Sequence, residues 1–274
     1  MLRAVLSAGC LVPSEVSQML TGKIAIVTGS TSGIGRGIAV RLASLGARVV
    51  VHGRDEAGAR HTLAAIAEAR GEGDWHRADL ADAAACAGLV AFAVQRFGGL
   101  DVLVNNAALT TRGDIEHASL DVIDSILAVN LRAPLLLIQA AIPHMRARGG
   151  GSVVNIGSVN AYIGEPKLCP YSVSKGGLMT LTRNTAATLN RDRIRVNQIN
   201  VGWTLTEGEH RVKILEGKGE EWLTDAVATR PWGRLLLPED VANAVEYFAT
   251  DKSALVTGAV MDLEQYPVGA PPNW

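Results

Sequence analysis

Ile24-Ala-Ile-Val-Thr-Gly-Ser-Thr-Ser-Gly-Ile-Gly35 is the stretch that decides how this chain folds. Four consecutive apolar residues before a glycine-rich turn read as a strand buried on both faces. Ile34, Ile38, Leu42 and Leu45 then recur at helical spacing and stop at Gly46. Gly29 permits a tight turn, while Gly33 and Gly35 let the backbone approach a pyrophosphate and let the helix pack on the strand. The helix N-terminus adds free N–H groups and a positive dipole end.

The same alternation continues outward. Residues 48–52, 75–80, 100–105, 152–157, 194–200 and 256–262 read as further strands, and 56–69, 82–97, 120–148, 171–189 and 238–250 as helices. Pro134 and Pro143 are expected to kink or joint the long helical region. Strict β/α alternation predicts an α/β fold: a single Rossmann-like, doubly wound domain, with a mostly parallel seven-stranded sheet and helices on both faces. Residues 202–238 form the one long insertion and hold Trp203, Trp222 and Trp232.

Bulk composition narrows the function. The chain has 274 residues, and its 48% apolar fraction is ample for a core of one large domain. A net charge of −1 offers no basic field for nucleic acid. Cys10, Cys86 and Cys169 are far apart with no CxxC, which suits a reducing cytoplasm rather than a disulfide or zinc framework. The histidines are scattered, no HExxH occurs, and no metal site is expected. No apolar run approaches the ~18 residues of a membrane span. Residues 1–18 read as an N-terminal extension, disordered or loosely docked, and a secretion signal is disfavoured because Arg3, Ser7 and Gly9 break its apolar run.

Tyr171 and Lys175 lie one above the other on a helix face. An ammonium beside a phenol favours the phenolate, so Lys175 is expected to lower the tyrosine pKa from roughly 10. Such a tyrosine can pass a proton to or from a substrate oxygen. Ser158 supplies a second hydroxyl for the charge that develops there. Singly, these residues read as a half-buried aromatic and a turn cap. Here they accompany the glycine turn at 28–35, Asn105-Asn-Ala107 and Asn130, in order. Together they resemble the short-chain dehydrogenase/reductase family over roughly residues 22–264.

The resemblance implies a chemistry: hydride passes between a nicotinamide and a carbonyl or secondary alcohol, with no metal. Tyr171 would be the acid/base. Lys175 would lower its pKa and hold the nicotinamide ribose, and Ser158 would bond the substrate oxygen. Asn130 would hold a water connecting Lys175 to solvent. The cofactor would lie against Gly29, Ser30, Thr31, Ser32, Gly33, Ile34, Gly35, Asp79, Leu80, Asn106, Ala107, Tyr171, Lys175, Gly202, Thr204 and Thr206. Asn105 would brace the sheet. Ala108 replaces the glycine of the family's Asn-Asn-Ala-Gly, and Val201-Gly202 replaces its Pro-Gly.

Strand two ends His52-Gly-Arg-Asp55. The position of an NAD-binding carboxylate is Gly53, and Arg54 resembles the arginine that pairs a 2′-phosphate. NADP(H) is therefore favoured, with Asp55 keeping NAD(H) open.

By resemblance, residues 202–238 form a lid on a domain spanning 19–274; an ordinary helical insertion at a subunit contact is the alternative. Met19 looks like the family's usual start. Candidate substrate contacts are Ser158, Asn160, Tyr162, Trp203 and His210. Their polar and aromatic mix suits a small hydroxylated substrate such as a sugar or polyol. A 3-oxoacyl-[acyl-carrier-protein] reductase, docking an acidic carrier on Arg146 and Arg148, is the alternative enzyme. A non-catalytic NADP-binding sensor is the alternative of another class. The resemblance also implies a homotetramer or homodimer built on the long helices, with Leu135-Leu-Leu-Ile and Leu178-Met-Thr-Leu as compatible apolar runs.

Overall fold

The computed structural model describes residues 19–268; the extension expected at 1–18 lies outside them. The strands are β1 (Ile24–Val27), β2 (Arg48–His52), β3 (Glu72–His76), β4 (Val102–Asn105), β5 (Gly151–Ser158), β6 (Ile194–Val201) and β7 (Val260–Leu263). They form one sheet in the order β3-β2-β1-β4-β5-β6-β7. Every pair is parallel, so the sheet is wholly rather than mostly so. The order reverses between β1 and β4, where the carboxyl ends of the strands open a crevice.

Both faces of the sheet are covered because its central strands are apolar in both directions. Ala25 and Val27 of β1 join one core with Ile38 and Leu42 of α1 (Gly33–Ser44), Ile66 of α2 (Glu56–Glu68) and Val241, Val245 and Phe248 of α9 (Pro238–Ala249). Ile24 and Ile26 join the other core. Its helical partners are Leu89, Val90 and Phe97 of α3 (Ala83–Phe97), Leu137, Ile138 and Met145 of α5 (Ala133–Ala147) and Leu189 of α6 (Cys169–Leu189).

Several boundaries differ from the sequence reading. β3 ends at His76, opposite the last residue of β2, because residues 77–80 have no partner strand among the described residues. Asp79 therefore lies in a turn, where its Oδ1 accepts from the Ala81 N–H at 3.0 Å. The long helical region is not jointed at its prolines. α4 (Leu120–Leu127) runs into a π-helical segment, Ala128–Arg132, and then α5. Pro134 sits in the first turn of α5, where no donor is needed, and Pro143 is accommodated inside the helix. Leu120–Ala147 is long and apolar enough by length and composition to cross a bilayer, contrary to expectation. Here its apolar side packs on the sheet and on α3.

The insertion holds α7 (Glu207–Leu215) and α8 (Trp222–Ala228). Its base is closed by a parallel bridge between Thr204 and Leu236. Trp222, Ala226 and Leu235 form a small core of their own with Trp203, Leu205 and Leu223.

Candidate active site

The glycine turn is held open from behind. The Thr28 hydroxyl accepts from the N–H groups of Asn106 and Ala107 at 2.9 and 3.0 Å. The Asn106 amide donates to the carbonyls of Thr28 and Gly29 at 2.8 and 3.1 Å. A Cβ on Gly29 would stand 2.9 Å from the Ala107 Cα, and one on Gly35 would meet the same Asn106 amide, so both positions need glycine. Ser32 caps α1 without a side-chain hydrogen bond, which leaves the first-turn N–H groups facing the crevice. This cradle fits a dinucleotide pyrophosphate.

Not every residue expected to touch a cofactor faces it. Ser30 is fully buried; its hydroxyl donates to the Val27 carbonyl at 2.6 Å and accepts from the His52 N–H at 3.0 Å. Its side chain is thus committed to the turn itself. Leu80 is buried in the core of the α3 face. Thr31 packs against Gly53, where a Cβ would stand 2.7 Å from its methyl. Arg54 and Asp79 are exposed and paired at 3.2 Å beyond the ends of β2 and β3.

Ser158 closes β5 and is buried; its hydroxyl accepts from the Asn160 N–H at 3.2 Å. Gly157 before it lies against the Gln198–Asn200 amide pair, with no room for a Cβ. That pair belongs to a polar row in which Asn105 donates to Asn155, Asn155 to Thr182, Thr182 to Gln198, Gln198 to Asn200 and Asn200 to Asp262, all at 2.7–3.0 Å. Asn105 thus joins neighbouring strands, as the sequence reading expected.

Tyr171 and Lys175 project from the first turns of α6. Burial pushes the Tyr171 phenol above its ordinary pKa; the Ser158 hydroxyl and the Arg112 charge pull it down, and Glu209 raises it further. The expectation that Lys175 lowers it is not met in this geometry. Its Nζ lies 5.6 Å from the ring centroid and donates to the Ile156 carbonyl at 2.7 Å. Burial lowers the Lys175 pKa to about 8. Asn130, in the π segment, clamps Leu109 through both backbone groups at 2.8 and 2.9 Å. Its amide also donates to the Ser174 hydroxyl at 3.1 Å, which in turn donates to the Tyr171 carbonyl at 2.6 Å. Ser158, Tyr171, Lys175 and Asn130 therefore share one site.

Gly202 follows β6, and its N–H is held by the Leu263 carbonyl at 2.9 Å. Thr204 sits in the insertion's base. Thr206 caps α7 and places its methyl 3.4 Å from where a Gly33 Cβ would stand, so the insertion begins beside the glycine turn.

The substrate candidates divide. Asn160 stays beside Ser158. Tyr162 instead turns toward Asp262 and Asn200 at the sheet edge, where burial and the Asp262 carboxylate raise its pKa. His210 accepts from the Trp222 indole N–H at 3.0 Å. Trp203 donates to Glu209 at 2.8 Å and is flanked by Lys213 and Arg230. Tyr162 and His210 thus have other partners. Arg146 and Arg148 are also tied down, to Asp192 at 2.7 Å and Asp101 at 3.1 Å.

Sequence reasoning missed His52, Ser174, Arg112 and Glu216. Ser174 carried a faint signal, as a small polar residue next to Lys175 on a buried helix face. The others depend on contacts between distant segments.

A family model described as enoyl-(acyl carrier protein) reductase matches residues 29–264. Dehydrogenase/reductase SDR family member 4 of Sus scrofa is 39% identical over 248 residues, covering 89% of this chain and 86% of that protein. Cis-4-hydroxycyclohexanecarboxylate dehydrogenase of Sinomonas cyclohexanicum is 32% identical, covering 88% and 95%. Among solved structures, a protein assigned as an NAD(P)-dependent gluconate 5-dehydrogenase from Beutenbergia cavernae, with bound NADP, superposes with a TM-score of 0.81 at 32% identity, covering 90% and 96%.

Proposed function

Because the chain belongs to the short-chain dehydrogenase/reductase family and is an NAD(P)-dependent oxidoreductase, we propose that it interconverts a secondary alcohol and a ketone on a small polar substrate, with NADP(H) preferred. The observation that carries this reading is the convergence of Ser158, at the end of β5, with Tyr171 and Lys175 of α6. A bound dinucleotide would give the hydride in reduction and take it in oxidation. Ser158 and Tyr171 stabilise the charge that builds on the carbonyl oxygen, and Tyr171 delivers or removes its proton. Lys175, held by the Ile156 carbonyl 5.6 Å from the Tyr171 ring centroid, would offer its ammonium to the ribose of a bound dinucleotide. Asn130 fixes the helix turn from which Tyr171 projects and, through Leu109, the opposite rim.

NADP(H) preference is supported at the adenosine end. Thr31 fills the space that a side chain at position 53 would need. The Asp55 carboxylate lies over Gly58 at the start of α2, 2.6 Å from where a Cβ would stand. Arg54 is the exposed cation there, suited to a 2′-phosphate. A small polar substrate is supported by the two relatives whose names specify hydroxy acids, gluconate and cis-4-hydroxycyclohexanecarboxylate. The acyl-carrier alternative has weaker support, because Arg148 is held by the buried Asp101 and by the Gly22 carbonyl. The exposed apolar side chains Leu120, Leu135 and Val173 on α4, α5 and α6 support a homotetramer or homodimer built on those helices.

Titration with NADPH and NADH, followed by turnover on a panel of sugars, polyols, ketones and a β-ketoacyl thioester, tests this reading. Tyr171→Phe is expected to lower kcat by about 10²–10⁴-fold with cofactor binding intact. Undiminished activity in that variant refutes the mechanism. Arg54→Ala is expected to weaken NADPH by about 10–100-fold and leave NADH unchanged. Equal losses for both cofactors refute the preference.

A further inference from the structure

α7, whose Glu209 charge reaches the Tyr171 phenol, roofs that side of the site and bridges two fixed points. Thr206 at its start stands beside Gly33 of the cofactor turn. Glu216 at its end accepts from Arg112 Nε and Nη2 at 2.8 and 2.7 Å. A helix of this length spans about 13 Å between them.

Arg112 is carried on a segment secured on both sides. Leu109 is clamped by Asn130. Gly113 pairs with the chain entering α6, its N–H with the Lys167 carbonyl at 2.9 Å and its carbonyl with the Cys169 N–H at 3.0 Å. Tyr171 follows in the next turn of chain. The guanidinium is thereby held at the rim of the catalytic pocket, close enough for its charge to act on the phenol.

The charges of the roof nearest Arg112 are paired with one another. Lys213 lies 3.6 Å from Glu209 and 2.9 Å from Glu216, and over the Trp203 ring. Glu209 takes the Trp203 indole N–H. Arg112 differs: both of its bonds go to one oxygen, Glu216 Oε1, and the rest of its donor fork is uncommitted to that carboxylate. A planar guanidinium on a fixed loop is suited to bidentate capture of a carboxylate.

We propose that Arg112 is the subsite for a substrate carboxylate, so that the substrate is a small hydroxy or oxo acid and Glu216 is the competing carboxylate it displaces. This deepens the dehydrogenase reading and rests on it for the identity of the pocket. Substrate binding would also exchange the tie at the end of α7, coupling the position of the roof to the charge of the substrate.

The test compares 4-oxocyclohexanecarboxylate with its methyl ester, which differs in charge at nearly the same shape, in the full chain with NADPH. Wild type is expected to favour the acid. Arg112→Gln should lower kcat/KM for the acid by about 10–100-fold more than for the ester, the difference lying mostly in KM, while loss of its charge beside the Tyr171 phenol changes kcat alike for both. Glu216→Gln should improve KM for the acid, because a competitor is gone. If Arg112 only latches the roof, each variant will change acid and ester by the same factor, and the proposal fails. It also fails if wild type treats acid and ester alike, or if Lys213→Met but not Arg112→Gln abolishes the preference. Tryptophan-fluorescence titration with cyclohexanecarboxylate reads the subsite without turnover. Binding that Arg112→Gln removes supports the subsite even if no carbonyl is reduced, an outcome that would refute the dehydrogenase reading alone. No binding by wild type refutes the subsite while turnover of the ester leaves the dehydrogenase reading standing.

Discussion

His52 should make both stability and the cofactor turn acid-sensitive. It ends β2 at 3% exposure, and its Nδ1 accepts from the Gly29 N–H at 3.1 Å. Its backbone is tied to Ser30 in both directions, at 2.8 and 3.0 Å. Accepting at Nδ1 requires the neutral ring with its proton on Nε2. A second proton would set two N–H groups against each other at the first glycine of the turn. Burial lowers the His52 pKa to about 4; the Ala78 backbone opposes the shift, and His76 adds to it.

A base whose folded pKa lies below its unfolded value of roughly 6.5 binds fewer protons in the folded state between those values. Its contribution is therefore full above pH ~6.5 and is lost as pH falls toward ~4. Between about pH 7 and about pH 4.5 that amounts to roughly 2 kcal/mol for this one group. Urea unfolding of wild type and His52→Asn across that window measures it. Asparagine keeps a side-chain acceptor but does not titrate, and carboxylates and His76 act in both proteins. Wild type should lose roughly 2 kcal/mol more than the variant. Parallel curves would show that His52 is not held neutral by the turn, and the argument from the Gly29 contact would fall with them.

Two further outcomes follow from the same geometry. Ser174→Ala removes the bridge between Asn130 and the Tyr171 carbonyl. It should cost about 1–3 kcal/mol and lower kcat more than KM, with an altered pH–rate profile; a stability loss with an unchanged profile would make Ser174 purely structural. Gly157→Ala drives a methyl into the Gln198–Asn200 pair and should destabilise by about 1–3 kcal/mol. Adding Asn200→Ala should recover part of that loss, so strictly additive effects would refute the contact.

What the sequence determined by itself was periodic or local. The apolar run Ile24-Ala-Ile-Val before Gly29, and its repetition along the chain, settled the β/α alternation, because a doubly covered strand has no polar face to mark. The spacing of Tyr171 and Lys175 placed both on one helix face, and the tertiary fold brought Ser158 to them, as β5 and α6 meet at the crevice. Element ends were less legible: β3 stops where β2 stops, which is a property of the partner strand and not of residues 75–80. Side-chain commitments were least legible. Ser30, Tyr162 and His210 carry the right chemistry in sequence, but Val27 and His52, Asp262, and Trp222 claim them. The direction of the Tyr171 pKa shift was likewise decided by tertiary structure, because burial outweighs the Ser158 hydroxyl and the Arg112 charge, and the Lys175 Nζ is turned to the Ile156 carbonyl. Arg112, Glu216 and His52 acquire their roles only when segments far apart in the chain are brought within hydrogen-bonding distance, and one-dimensional spacing carries no record of that.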